Sequence, residues 1–425
     1  MALTNLPYRE GCRPLARHSG PRRCRSRWLG WLLAAGLFLS GASAGLAAPV
    51  RIVDLNAYQL QDLRALSMGN AFGPVARGEA ALQYNPAGLA TYDFDLKADA
   101  SATFMEEKGN FINDTMKVSS GSPSVSELNS YFQKYSGSTQ TFMLQTFPSA
   151  VANVGEAGFG FGGGHLDARR LSLSFTQASP GVYNPLTDSL TVASERAELG
   201  LGGVAFKLAG GKALIGVTSK TVRYSEANSN TPYTVLLQPG AKIDIFPTAT
   251  EYNQVAAFDA GLIYRVEWLP ELKPQWSLTA FNIGGYKLKG TTPAGLAQTA
   301  YVPDTYNFGL SLQPEFGFAH VLIAGEVEDL ADSVKVQVNG VNKSRDESQR
   351  LHSGVEVGFF KTPTGNNWFN IRGGSNQGYL TYGAEVNLGG FLRAVYSYGT
   401  ENTGYKGHPQ IFKFEAYQVA LGVAW

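Results

Sequence analysis

The chain has 425 residues, of which 16% are charged and 12% aromatic, with 49 glycines and a formal charge of +1. Nothing in it separates into soluble units, and low charge with abundant glycine and aromatics suits a β-protein that has one face in lipid. A slightly negative mean hydropathy is compatible with this, because only alternate residues of a barrel strand face lipid.

The first residues read as a leader. Arg9, Arg13, Arg17, Arg22, Arg23, Arg25 and Arg27 precede an apolar run at 28–39, and small residues follow at Ala42-Ser43-Ala44 and Gly45-Leu46-Ala47. That order is what a signal peptidase requires, and the run is too short to span a bilayer comfortably. Residues 1–48 are therefore expected to be a signal peptide removed on general secretory export. Arg22-Arg23 fits twin-arginine export poorly, since Cys24 and Arg25 flank it and a barrel needs export unfolded. The long basic region leaves the start codon open. Both cysteines, Cys12 and Cys24, fall in the leader, so the mature chain is expected to hold no disulfide, thiolate metal site or cysteine nucleophile. No cysteine follows the apolar run, which argues against a lipoprotein. The leader removes seven arginines and one acid, and the remaining charge near −5 argues against nucleic acid as a partner.

Beyond Phe38 no apolar run is long enough for a transmembrane helix. What recurs is alternation of period two over roughly ten residues, bounded by turn residues. The first clear stretch puts Phe94, Leu96, Ala98, Ala100, Ala102 and Phe104 on one face. Further on, Phe159, Phe161, Leu171, Leu173 and Phe175 share a phase that is lost across 162–169. Two readings compete there: a hairpin turning at Asp167, or one long strand with a glycine-rich kink at Gly162, Gly163 and Gly164. A hairpin adds a strand and breaks an even count, which favours the kink. Glycine runs inside strands mark bends and local ladder breaks, and in a barrel wall such a break can open a lateral window. Alternation returns at 205–208, 258–266, 276–281, 306–312, 320–327, 352–360 and 379–388. The last stretch is Tyr417, Val419, Leu421, Val423 and Trp425.

Connections alternate in length. Short turns at 209–212, 313–315 and 389–390 alternate with long polar segments near 105–140, 178–192, 226–252, 286–304, 329–348 and 401–410; the short turn at 375–378 is an exception. This asymmetry, with fourteen strands by count and both chain ends on the periplasmic side, is that of outer-membrane barrels. The expected fold is all-β, a transmembrane antiparallel barrel of about fourteen strands over 93–425.

Residues 64–72, with Ala71-Phe72 at their end, lead through 80–84 into Asn85-Pro86-Ala87-Gly88. The block resembles the N-terminal signature of the FadL-like outer-membrane family, in which the segment before the first strand forms a hatch inside a fourteen-stranded barrel. The resemblance implies a hatch at 49–92 containing Asn85, Pro86, Ala87 and Gly88. Taken alone the tetrapeptide is a turn, since Asn and Pro initiate one and Gly allows positive φ. The later half, notably 325–330, 372–378 and 396–399, is similar to the PorV-like branch, whose members serve as secretion accessories.

The terminal alternation ending at Trp425 could be the last strand of any sheet; after a leader it resembles the signal read by the barrel-assembly machinery. Two loop segments are unusually apolar. Residues 124–135 read as a helix capped by Ser124, with Val125, Leu128, Tyr131, Phe132 and Tyr135 on one stripe. Residues 233–246 include Leu236, Leu237 and Phe246. They could pack on each other over the barrel mouth or form a greasy capture site, and the two are compatible. Val334 and its neighbours before Asn339-Gly340 suggest a small protruding hairpin. His165, His320, His352 and His408 have no metal-ligand spacing, no Gly-x-Ser-x-Gly element occurs, and no phosphate loop is present, so neither enzyme, metal nor cofactor is expected.

The leading expectation is passive transport of a hydrophobic, fatty-acid-like solute across the bacterial outer membrane, through hatch and lateral opening. The alternative is a scaffold that binds a secreted or surface protein. Outer-membrane lipid, the assembly machinery and either a hydrophobic small molecule or a secreted protein are the expected partners.

Overall fold

The computed structural model describes residues 51–52, 62–91, 94–105, 124–135, 139–174, 189–232, 248–338, 341–361, 367–389, 391–409 and 411–424, with a few isolated positions between them. The expected leader at 1–48 lies outside them, as do Leu236, Leu237, Phe246 and Trp425.

Fourteen strands make the wall. They are β1 (Phe94–Met105), β2 (Thr139–Val154), β3 (Ala157–Ser174), β4 (Ser189–Leu208), β5 (Ala213–Pro232), β6 (Val255–Arg265) and β7 (Gln275–Phe281). They continue as β8 (Thr305–Leu312), β9 (Ala319–Val327), β10 (Leu351–Lys361), β11 (Asn367–Asn376), β12 (Tyr379–Leu388), β13 (Leu392–Asn402) and β14 (Ile411–Ala424). Each pairs antiparallel with its sequence neighbours, and β14 pairs with β1 from Asp95↔Ala424 to Met105↔Phe414, which closes the ring. Closure leaves no wall edge, the condition for a sheet to cross a bilayer.

Alternation decides which face each residue takes. On β12, Leu380, Tyr382, Val386 and Leu388 face outward and are exposed, while Thr381, Glu385 and Asn387 are buried inward. On β14 the outward set includes Tyr417, Val419 and Leu421, and the inward set includes Phe414, Ala416 and Gln418. The same split runs round the barrel and gives an apolar outer belt, so the chain is an integral barrel of outer-membrane type. β3, β4 and β5 run for 18, 20 and 20 residues. About ten residues suffice for a tilted strand to span the membrane, so these three project well beyond it.

Turn chemistry explains the connections. β2 and β3 are joined by Gly155-Glu156, with Gly155 at φ 63°. The short connection at 377–378, on the end that otherwise carries long loops, has Gln377 at φ 57° and Gly378 at φ 86°. Positive φ at both central residues is the type I′ geometry that matches strand twist.

The long loops carry their own structure. Lys335–Val338 and Val341–Ser344 form the expected small hairpin. A second hairpin, Tyr286–Thr291 with Ala297–Val302, was not legible in the sequence; Arg51–Ile52 add to it in parallel at Ala300 and Tyr301. The expected helix is present as α3 (Val125–Tyr135), after the short α1 (Leu63–Ser67) and α2 (Ala81–Tyr84). Ser124 caps it: its Oγ accepts from the Glu127 amide at 3.3 Å, while its own amide donates to Glu127 at 2.8 Å.

β3 is one continuous strand, with no hairpin turn at Asp167. Its ladder to β4 is unbroken from Ala157↔Phe206 to Ser174↔Ser189. The strand keeps its face parity from Phe159 to Ala168; the hydrophobic phase is lost there because the outward positions become Gly163, His165 and Asp167.

Candidate functional site

Residues 62–91 touch strands on all sides of the ring: α1 meets β11 to β14, 73–75 meet β7 to β9, and 86–91 meet β2 to β6. Asn85, wholly buried, fixes this segment locally and to the wall. Its Nδ2 donates to the Gly73 carbonyl at 3.1 Å and the Leu262 carbonyl at 3.4 Å, and its Oδ1 accepts from the Ala87 amide at 3.1 Å. Pro86 then starts a 3₁₀ turn, Pro86–Thr91, in which Ala87 and Gly88 are buried. The tetrapeptide is thus both a local turn and a wall contact. Close approach requires glycine opposite it: a Cβ on Gly261 would fall on Asn85 Oδ1, and one on Gly354 would fall on the Met68 carbonyl.

The interior has two unlike halves. From β10 through β14 to β1 it is charged. Arg64 Nε and Nη2 each lie 2.8 Å from a carboxylate oxygen of Glu356, which also accepts from Arg372 Nε at 2.6 Å. Arg372 reaches Glu385 at 2.7 Å, Arg393 reaches Asp99 at 3.1 Å, and Lys97 joins Glu79 at 2.7 Å. Next to this half, Glu326 accepts from the amides of Phe72 and Gly73 at 3.0 and 2.7 Å. His352 contacts the Gly69 carbonyl at 2.9 Å through Nδ1 and Glu328 at 3.2 Å through Nε2. These contacts tie residues 62–79 to strands nearly the full chain length away, which no local sequence signal could reveal.

The half from β2 to β6 is largely apolar. A single packed cluster runs from Leu288, Ala300 and Val302 in the outer hairpin, through Tyr252, Tyr224, Val222 and Leu201, to Leu166 and Phe147; Leu82 and Leu89 of the N-terminal segment join it. Its main interior charge is the buried pair Lys220–Asp259 at 2.8 Å.

Where this cluster ends, the β2–β3 ladder lacks two pairs. β2 and β3 pair up to Thr146↔His165 and resume at Ser149↔Gly162, so Phe147 and Pro148 face Gly164 and Gly163 without ladder pairing and without change of register. Pro148 has no amide to give, and its missing donor is the cause that glycine alone would not supply. Sequence reading singled out Gly162, Gly163 and Gly164 but missed Pro148; a proline inside an alternating stretch was the available signal. On the inner side the Phe147 ring covers the interruption, 2.9 Å from where a Gly162 Cβ would stand. On the outer side lies a groove of about 740 Å³ lined by Leu96, Ala98, Pro148, Phe161, Gly163 and Leu421, among others.

Leu128, Tyr131, Phe132 and Tyr135 of the first apolar loop segment are buried; Leu236, Leu237 and Phe246 of the second lie outside the described residues. Of the terminal alternation, Tyr417, Val419 and Leu421 face outward in β14 beside β1, and Val423 belongs to the same strand.

No family model matches the chain, and no curated relative does. Similar solved structures include the Pseudomonas putida toluene transporter TodX, at 12% identity and TM-score 0.46 over 89% of this chain and 100% of that one. The Ralstonia pickettii toluene transporter TbuX gives 14% and 0.47 over 85% and 97%. A Pseudomonas aeruginosa FadL homologue gives 12% and 0.42 over 83% and 96%. The barrel described above stands on its own strand register.

Proposed function

We propose that the protein passively transports hydrophobic, fatty-acid-like solutes, with residues 49–92 as a hatch and the β2–β3 interruption as a lateral opening. The observation that supports this is the coincidence of three features: an apolar interior half, an unpaired stretch of wall at its end, and an apolar groove on the outer side of that stretch. A solute entering at the long-loop end would exchange water for the Tyr224–Leu201 side of the lumen, then displace the Phe147 ring and leave into lipid. Removal of apolar surface from water, about 25 cal/mol per Å², supplies the direction, so no energy source is needed. The charged half holds the N-terminal segment while the apolar half carries cargo. The test is uptake of labelled long-chain fatty acid or alkane by cells expressing wild type or Gly163→Val, at equal surface levels and with heat-modifiable folding confirmed. Uptake by wild type that the substitution abolishes supports the route. No uptake above empty vector for either protein rejects it for these solutes and turns the reading to a protein-binding scaffold.

A further inference from the structure

At the short-turn end, beneath the N-terminal segment, a cavity of about 520 Å³ opens between residues 74–77, the β6–β7 connection and the start of β9. Its wall has two characters. Val75, Leu214, Ile263 and Leu322 are buried and make an apolar floor. Around them stand Arg77, Arg265, Lys273 and His320, against one acid, Glu267.

Glu267 pairs with Lys212 at 2.7 Å, and Lys273 pairs with Glu315 at 3.0 Å. Arg64 also reaches the cavity but is held by Glu356. Arg265 donates to the Gly211 carbonyl at 3.4 Å and, among the described residues, faces no carboxylate. His320 likewise has no ion pair among them. A half-enclosed pocket with an apolar floor and the unmatched Arg265 guanidinium at its rim is poorly matched to water and to neutral hydrocarbon alike.

We infer that this vestibule binds an amphipathic anion, a carboxylate or phosphate group on a hydrocarbon chain. The head group sits at Arg265 and His320, where a planar guanidinium offers paired donors, and the chain lies on Val75, Ile263 and Leu322. The site is separate from the lateral route, on the opposite side of the N-terminal segment from the long loops. Two sources share this chemistry: a free amphiphile below the barrel, and an anionic lipid of the adjoining leaflet.

The experiment is titration of carboxyl-¹³C octanoate into the full barrel in phosphatidylcholine nanodiscs, read by NMR, with octanol as the uncharged control. Saturable octanoate binding is expected, at least tenfold weaker in Arg265→Gln and tenfold weaker in wild type at 0.5 M salt. Octanol is expected to show no saturable binding. Equal octanoate affinity in wild type and Arg265→Gln, insensitivity to salt, or octanol binding as tight as octanoate would each overturn the assignment. The salt arm needs no variant, so it holds even if Arg265→Gln assembles poorly. Nanodiscs with added phosphatidylglycerol separate the sources: octanoate displaced by them assigns the site to a lipid head group, and octanoate unaffected assigns it to the free amphiphile. Binding is read without uptake, so failure here leaves the lateral route standing, and failure of uptake leaves the vestibule standing.

Discussion

Glu356→Gln tests how the N-terminal segment is held. The carboxylate sits between two guanidinium groups, with Arg372 wholly shielded, Glu356 at 2% side-chain exposure and Arg64 at 13%. Removing one partner of a buried pair costs about 3–5 kcal/mol, because the other charge is left desolvated. Here Arg372 keeps Glu385 at 2.7 Å, which places the loss near the lower end, at about 3 kcal/mol. Arg64→Met differs: Glu356 keeps Arg372, and only the charged hydrogen bonds of Arg64 go, about 1.5–3 kcal/mol less the desolvation it no longer bears. The substitutions are therefore unequal although they cut the same contact. Hydrogen exchange of the amides of residues 63–75 in detergent-solubilised barrel reads both. Exchange about 100-fold faster in Glu356→Gln, and distinctly less accelerated in Arg64→Met, is expected. Equal effects, or wild-type protection in both, would refute the idea that this charge cluster anchors the segment.

Three further outcomes are expected. Asn85→Ala loses its side-chain hydrogen bonds and leaves the Ala87 amide and the Gly73 carbonyl short of partners, costing about 1–3 kcal/mol, read as accelerated exchange at Ala87 and increased leak of hydrophilic dye. Gly261→Ala drives a Cβ into Asn85 and should lower the heat-modifiable fraction, whereas Gly163→Ala, whose Cβ would meet only the Leu199 carbonyl at 3.7 Å, should assemble normally. Burial alone would raise the Glu328 carboxyl, but Arg345 and His352 hold it down at about 2. A lowered folded value gives stability that is complete above the ordinary pKa near 4.5 and is lost as pH falls through 2. The amides of Ser333 and Val334, bound to Asp329 beside this cluster, should stay protected at pH 5 and open between pH 4 and 2. Arg345→Met should move that opening to higher pH; an unchanged midpoint would count against the pairing.

The wall was legible because its period-two pattern is local. Tyr379–Leu388 could be bounded to the residue, since Leu380, Tyr382, Val386 and Leu388 alternate with Thr381, Glu385 and Asn387. The helix at Val125–Tyr135 was legible from its cap and stripe. The hairpin at Tyr286–Val302 was hidden, because Lys287, Lys289 and Gln298 give it the composition of a polar loop. The interior was legible only as far as its polarity. Arg64 and Glu356 are 292 residues apart, and only closure of the ring brings them together. Division of the lumen into a charged and an apolar half likewise depends on which strands become neighbours. The glycine run lies beside the two missing ladder pairs, but the matching Pro148 is on the neighbouring strand and matters only through register.

The most direct test of the lateral route is a reversible seal. Thr146 and His165 are the last pair before the unpaired stretch, so Thr146→Cys with His165→Cys, in a Cys12→Ser/Cys24→Ser background, can bridge β2 to β3 at its edge and leave Pro148 in place. Opposed strand residues bring their Cβ atoms to about 4.5–5.5 Å, within small adjustment of disulfide geometry. Uptake of labelled fatty acid would be measured on the same cells before and after a membrane-permeant reductant. Low uptake when bridged, restored on reduction, is the expected result; uptake as fast with the bridge intact as after reduction would contradict passage through the wall.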